Sequence, residues 1–159
     1  MGKRRKTWLR VLLGLLAAAV LCVCASIYVS YQVLTVSRYE LRSEKLTGNV
    51  RLVLLADLHN NSFGKGNRRL VEKVRREAPD LIVLCGDLVN QGEEDTSVAE
   101  ELIRALTDIA PVYASYGNHE KSHETRFGSD FTALYTAAGA TVLEGGWEDL
   151  TVNGQRLRL

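Results

Sequence analysis

At 159 residues the chain has room for one modest domain, and its 20 lysines and arginines nearly balance 19 aspartates and glutamates. The balance is uneven, because Lys3, Arg4, Arg5, Lys6 and Arg10 stand together without an acid and leave 15 bases against 19 acids elsewhere. A mildly acidic body without an aromatic-interleaved basic stripe excludes nucleic-acid binding through bulk charge, and Cys22, Cys24 and Cys85 supply no disulfide framework.

The basic cluster is followed by 19 uncharged residues, Val11 to Val29. As a helix this run is about 28 Å long, the thickness of a bilayer core. Trp8 at one end and Tyr28 and Tyr31 at the other occupy interfacial positions. Residues 1–10 are therefore expected to be cytoplasmic, residues 11–31 to be an uncleaved single-pass anchor, and the rest to lie outside the cell membrane. A cleaved signal peptide has a shorter apolar region, and Cys24-Ala25-Ser26 is a weak cleavage site. The myristoylation reading of Met1-Gly2 fails at Lys6, where Ser or Thr is required. A buried core helix is disfavoured by the dense basic flank.

Beyond the anchor, Val36 to Leu41 reads as an edge strand and Val50 to Ala56 as a buried one. Asn60 to Asn67 is Gly-rich, matches neither common phosphate-binding loop, and is expected to form a flexible rim. Asn67 to Ala78 places Leu70, Val71, Val74 and Ala78 on one helical face, and Pro79 ends the helix. Leu81 to Cys85 is a second buried strand, with Cys85 expected inside as a small hydrophobe. Ser97 to Glu100 has the spacing of a capping box for a helix running to about Thr107, and Pro111 to Tyr116 is a third strand. A helix over about Ser129 to Ala138 should stop at Gly139, before a short strand at Thr141 to Leu143. Asn153-Gly154 closes a hairpin between Leu150–Val152 and Gln155–Leu159. The βαβαβ order predicts an α/β layered fold over residues 36–159, with a mostly parallel sheet and helical crossovers. Ligands of such sheets collect beyond the carboxyl ends of the strands.

Three strands end in related chemistry: Asp57-Leu58-His59, Gly86-Asp87 and Gly117-Asn118-His119-Glu120. The intervals are 30 residues from Asp57 to Asp87 and 31 from Asp87 to Asn118, each one βαβ unit, so the groups should meet at one rim. Carboxylate, imidazole and amide oxygen suit Mn, Fe or Zn. A carboxylate from the middle strand, Asp87, is placed to bridge two cations about 3.5–4 Å apart. Gly86 and Gly117 stand where the backbone turns beside these ligands. Each motif alone is a common turn; their succession at consecutive strand ends is not. His123 reads as an exposed loop residue and is left out of the site.

In this order and spacing the three motifs resemble the first three of the calcineurin-like metallophosphoesterase family, over about residues 50–120, and the anchor resembles its membrane-associated bacterial branch. The resemblance implies a two-metal hydrolase of phosphate esters, acting on a phosphodiester, phosphomonoester or pyrophosphate through a metal-bound hydroxide. It implies that Asp57 and His59 hold one metal, Asp87 bridges both, Asn118 holds the second, and His119 acts on the leaving group without binding metal. An anchored site suggests a lipid-linked or envelope substrate. The family's later His and Gly-His-x-His motifs have no counterpart after His123. Residues 1–159 are therefore expected to be the N-terminal part of the domain and to be inactive alone. The alternative is a non-catalytic anchored protein with an incomplete metal site.

Overall fold

The computed structural model describes residues 2–159, with the side chains of Lys3, Arg4 and Arg5 outside the described residues. The chain divides into two compact units between Arg38 and Tyr39. The first contains one helix, α1, over Gly2–Gln32. Its portion Lys6–Gln32 is long and apolar enough to cross a membrane, and none of that apolar window is buried.

The second unit is an α/β layer. Its elements are β1 (Leu52–Leu55), α2 (Arg68–Glu77), β2 (Leu81–Cys85), α3 (Ser97–Thr107), β3 (Val112–Ser115), α4 (Asn118–Phe127), α5 (Phe131–Ala137), β4 (Thr141–Val142), β5 (Asp149–Val152) and β6 (Gln155–Arg158). Strands β1 to β4 form one sheet in sequence order, and every pair in it is parallel. This is the architecture that alternating strands and helices predict. The β5–β6 hairpin is antiparallel around Asn153-Gly154, and both turn residues have positive φ. Gln155 ties the hairpin to the segment before β1 by accepting hydrogen bonds from the backbone N–H and hydroxyl of Thr47.

The register explains where the core sits. Ile82 lies beside Val53 and Val112, and Leu84 beside Leu55 and Ala114, so these residues share one sheet face. Ile82, Leu84, Val112 and Ala114 on that face are all buried. Helix α2 contributes Leu70, Val71 and Val74 to the core, and α3 contributes Ala99, Leu102, Ile103 and Leu106. Spacings of three and four residues put each set on a single helical stripe. Full burial of each large aliphatic side chain is worth about 1.5–3 kcal/mol relative to exposure.

Several local expectations are corrected. Residues 36–41 form no strand, and Val36, Tyr39 and Leu41, which a sheet would cover, are exposed. Strand β1 is an edge strand, not a buried one. Leu52 and Leu54 project to the face opposite Ile82 and remain 44% and 65% exposed. Cys85, expected inside, is exposed at the end of β2, although partial desolvation and then the charge of Asp57 raise its thiol above the usual range. Ala78 leaves the helical face, because it takes the left-handed conformation (φ 46°) as the C-cap of α2 just before Pro79. The box expected from Ser97 is replaced by a different start to α3. Asp95 Oδ1 accepts from the N–H of Ser97, and the Thr96 hydroxyl donates to Glu100.

The segment Asn60 to Asn67 is also more structured than a flexible rim. It contains a 3-10 turn at Lys65–Asn67. Asn67 is buried, and its Oδ1 accepts from the N–H of Phe63, itself buried. Helix α4 has no counterpart in the sequence reading.

Candidate active site

The carboxyl ends of β1, β2 and β3 lie side by side, so the turns that follow them are laced together. The N–H of Asp57 donates to Gly86 O (3.2 Å), that of His59 to Asp87 O (3.0 Å), and that of Asn60 to Leu88 O (2.9 Å). Asp57, His59, Asn60 and Asp87 all have φ between 47° and 59°, a left-handed conformation uncommon for residues with a Cβ. Each costs of order 1–3 kcal/mol and persists only where the surroundings over-determine it, here through the lacing bonds.

Close approach sets two of the glycines. Gly86 has φ 81°, and a Cβ there would overlap the backbone of Gly117. A Cβ on Gly117 would overlap Asp87 Oδ1. The two turns are therefore packed backbone to backbone directly beside the Asp87 carboxylate.

One ring nitrogen of His59, one of His119 and a carboxylate oxygen of Asp87 lie within 4.8 Å of one another. The two imidazole centroids are 4.2 Å apart. Asp57 Oδ1 stands 3.9 Å from His59 Nε2, beyond hydrogen-bond range, and its side chain is 72% exposed. Asn118 opens α4 and is exposed beside His119. The structure thus gathers His59, Asp87 and His119 most tightly, flanks them with Asp57, and brings Asn118 to the same rim. The sequence reading placed His119 outside the ligand set; its ring nonetheless lies within the cluster.

Neither ring nitrogen of His59 is committed to a hydrogen bond among the described residues, and its Nδ1 is buried without a partner. A buried polar atom lacking a partner is costly unless something fills its place. Imidazole and carboxylate converging on one point are a donor set suited to a divalent transition metal. The residues present therefore fit a cation, with His59 and Asp87 as its nearest holders and Asp57 within reach.

His119 is held differently. Its N–H donates to Asp87 Oδ1 (2.8 Å), and its Nδ1 accepts from the N–H of Gln91 (3.2 Å). The loop carrying Gln91 is anchored through Glu93, whose carboxylate accepts from Asn60 Nδ2 (3.0 Å) and Asn90 Nδ2 (2.9 Å). The carbonyl of Glu93 bonds His123 Nε2 (2.9 Å). His123 is not an exposed loop residue: it is fully buried in α4, with its ring against Phe127 and Phe131.

The sequence reading gave no role to Glu120, which is fully buried. Its carboxylate accepts from the N–H groups of Asp87 (2.8 Å), Leu88 (2.8 Å) and Gly117 (2.9 Å) and from the Tyr135 hydroxyl (3.1 Å). Burial first, and the adjacent Glu120 charge second, push the Tyr135 hydroxyl far above its ordinary range, so it stays protonated as a donor. The available signal was position. Glu120 is the third residue of a helix that starts after Gly117, where an acidic side chain reaches back to the N-cap N–H.

Comparison with known proteins adds to this geometry. The family model described as calcineurin-like phosphoesterase matches residues 50–157. The chain is 29% identical over 133 residues to a protein of Campylobacter jejuni named as a metallophosphoesterase, covering 77% of this chain and 35% of that one. It is 32% identical over 118 residues to a similarly named protein of Caenorhabditis elegans, covering 73% of this chain and 24% of the relative. A Bacillus subtilis protein without a stated activity is 22% identical over 148 residues, covering 92% of this chain and 55% of its own length. The chain thus spans about a third or less of the first two relatives.

Proposed function

This chain belongs to the calcineurin-like phosphoesterase family, and from that premise we propose that it is a membrane-anchored, metal-dependent hydrolase of phosphate esters. The observation that carries the reading is the convergence of His59, Asp87 and His119 at adjacent strand ends, with the His59 ring uncommitted. Asp57 and His59 would hold one divalent cation, Asp87 would be shared with a second, and Asn118 would supply an amide oxygen to that second ion. Such a pair, when bound, supplies Lewis acidity at the phosphoryl oxygens and lowers the pKa of water. Manganese, iron and zinc all suit this ligand mixture.

The chain's own residues do the rest. Because Nδ1 of His119 accepts from Gln91, the neutral ring carries its proton on Nε2. Water replaces the leaving group at phosphorus and the P–O ester bond breaks. The His119 Nε2–H donates a hydrogen bond to the leaving oxygen as charge develops on it, and that oxygen takes up, through solvent, the proton that the attacking water releases. That hydrogen bond matters most for poor leaving groups such as alkoxides.

In our reading, residues 1–10 are cytoplasmic, residues 11–31 form the anchor, and residues 36–159 belong to the phosphoesterase domain on the outer side. Lys6 and Arg10 before the apolar run support that orientation. The outer location favours lipid-linked or envelope phosphodiesters or pyrophosphates as substrates.

The test is to reconstitute the full-length protein in vesicles, load it with manganese, and assay nitrophenyl phosphodiester and monoester substrates. Metal-dependent turnover that chelation abolishes and Asp57→Asn cripples is expected. Turnover indifferent to both treatments would overturn the proposal.

A further inference from the structure

We propose that Glu120 is a positioning residue for Asp87, fixing the carboxylate that the proposed function assigns to the metal site. The inference rests on that reading for the role of Asp87 and on the hydrogen-bond geometry for the role of Glu120.

A carboxylate offers about four acceptor sites, and all four here meet donors. Oε2 takes the N–H groups of Asp87 and Gly117, while Oε1 takes the N–H of Leu88 and the Tyr135 hydroxyl. The residue is fully buried, so no water competes for these sites. Three of the donors belong to the turns after β2 and β3, and the fourth to α5. One side chain therefore sets the spacing of both turns.

That spacing decides where the Asp87 carboxylate points. Asp87 is in the left-handed conformation (φ 55°), and its N–H and that of Leu88 are the two donors flanking it along the chain. Oδ1 of Asp87 is in turn committed to the N–H of His119, one residue before Glu120. A carboxylate oxygen of Asp87 lies within 4.8 Å of ring nitrogens of His59 and His119, so the bond that holds Oδ1 helps fix the carboxylate at that cluster. Packing at Gly117 allows no slack, since even a methyl group there would overlap Asp87 Oδ1. Glu120 thus acts on the site through the backbone of Asp87 and touches neither cation nor substrate.

An all-acceptor group is required at this position, and this separates charge and geometry from mere volume. In Glu120→Gln an NH2 replaces one oxygen. Facing Asp87 and Gly117 it would oppose two N–H donors. Facing Tyr135 it could be accepted by the rotated hydroxyl, but the Leu88 N–H would lose its partner. Either placement loosens the turn that aims Asp87. Tyr135→Phe removes only the hydroxyl and leaves the three backbone bonds in place.

The experiment measures zinc affinity by titration calorimetry on the full-length protein in lipid nanodiscs, together with thermal unfolding. Glu120→Gln should weaken zinc binding about 10–100-fold, the usual cost of losing a partner that orients a metal ligand. Tyr135→Phe should lower the unfolding temperature yet bind zinc within about threefold of the parent. Equal affinity for the parent and Glu120→Gln, both folded, would overturn the proposal and leave the metal site standing. Absence of zinc binding by the parent would instead overturn the site itself.

If Glu120→Gln does not fold, amide hydrogen exchange on the parent protein decides. Zinc should slow the N–H groups of Asp87, Leu88 and Gly117 together, because holding Asp87 holds the clamp. Protection that leaves Leu88 and Gly117 unchanged would overturn the proposal.

Discussion

His119 Nδ1 accepts a hydrogen bond from the backbone N–H of Gln91 at 3.2 Å, and this contact separates the chemistry of His119 from that of His59. A backbone N–H can only donate, so the neutral His119 ring must carry its proton on Nε2. A histidine that ligates metal through Nε2 ordinarily donates from Nδ1, and here two donors would then oppose each other. The geometry therefore favours His119 as a hydrogen-bond donor that stabilises charge on the leaving oxygen, even though its ring lies in the His59–Asp87 cluster. His119→Ala is expected to retain metal and lose turnover by about 10²–10⁴-fold. The loss should shrink for nitrophenol leaving groups, and equal losses for alkyl and nitrophenyl esters would point to phosphate binding instead.

Asp87→Ala should empty the metal site more completely than any other single substitution. A bridging carboxylate is shared by two cations, and its loss exposes their mutual repulsion. Elemental analysis of the purified variant, compared with Asn118→Ala, provides the measurement. Full metal content in Asp87→Ala would remove it from the bridge.

Gly117→Ala tests the packing of the two turns. The added methyl would overlap Asp87 Oδ1, and accommodating it should cost about 1–3 kcal/mol, as overpacking of a tight site does. Denaturant unfolding should show that loss together with weakened metal binding. A variant as stable and as metal-competent as the parent would mean that the turns yield more easily than their geometry implies.

Phe131→Ala should be among the most destabilising core changes. Phe131 is fully buried, with its ring centroid 5.2 Å from that of His123, 5.3 Å from Tyr135 and 6.2 Å from Tyr116. Truncation is expected to cost about 3–5 kcal/mol. Because His123 and Tyr135 support the Glu93 and Glu120 clamps, the folded fraction should also show faster amide exchange at Gln91 and Leu88.

Membrane attachment is testable without activity. Carbonate-washed membranes should retain the intact protein, since an uncharged segment of membrane length is stable in the bilayer without cleavage. A soluble product lacking about the first 25 residues would reassign the segment as a signal peptide.

The elements that were legible in the sequence are those whose signal is local. Leu81 to Cys85, the α3 stripe from Ala99 to Leu106 and the Asn153-Gly154 hairpin follow from periodicity and turn chemistry that their own residues carry. The three motifs were legible because βαβ spacing repeats, which brings Asp57, Asp87 and Asn118 to one rim. Helix α4 was not. Its stretch NHEKSHETRF has no apolar stripe, and its inward residues are Glu120 and His123.

Their burial depends on distant groups: the N–H groups of Asp87 and Leu88 and the Tyr135 hydroxyl meet Glu120, and the Glu93 carbonyl meets Nε2 of His123, whose Nδ1 is buried without a partner. The exposure of Leu54 and Cys85 likewise depends on which sheet face and strand end receive cover, not on their own hydrophobicity. The sequence by itself determined the parallel α/β order, the membrane-length segment and the residue types at the rim, since these depend on local spacing and composition. Only the tertiary structure decided the left-handed turns at Asp57, His59 and Asp87, the tautomer of His119 and the clamp at Glu120. Each is a balance between local strain or desolvation and hydrogen bonds from residues far away in the chain.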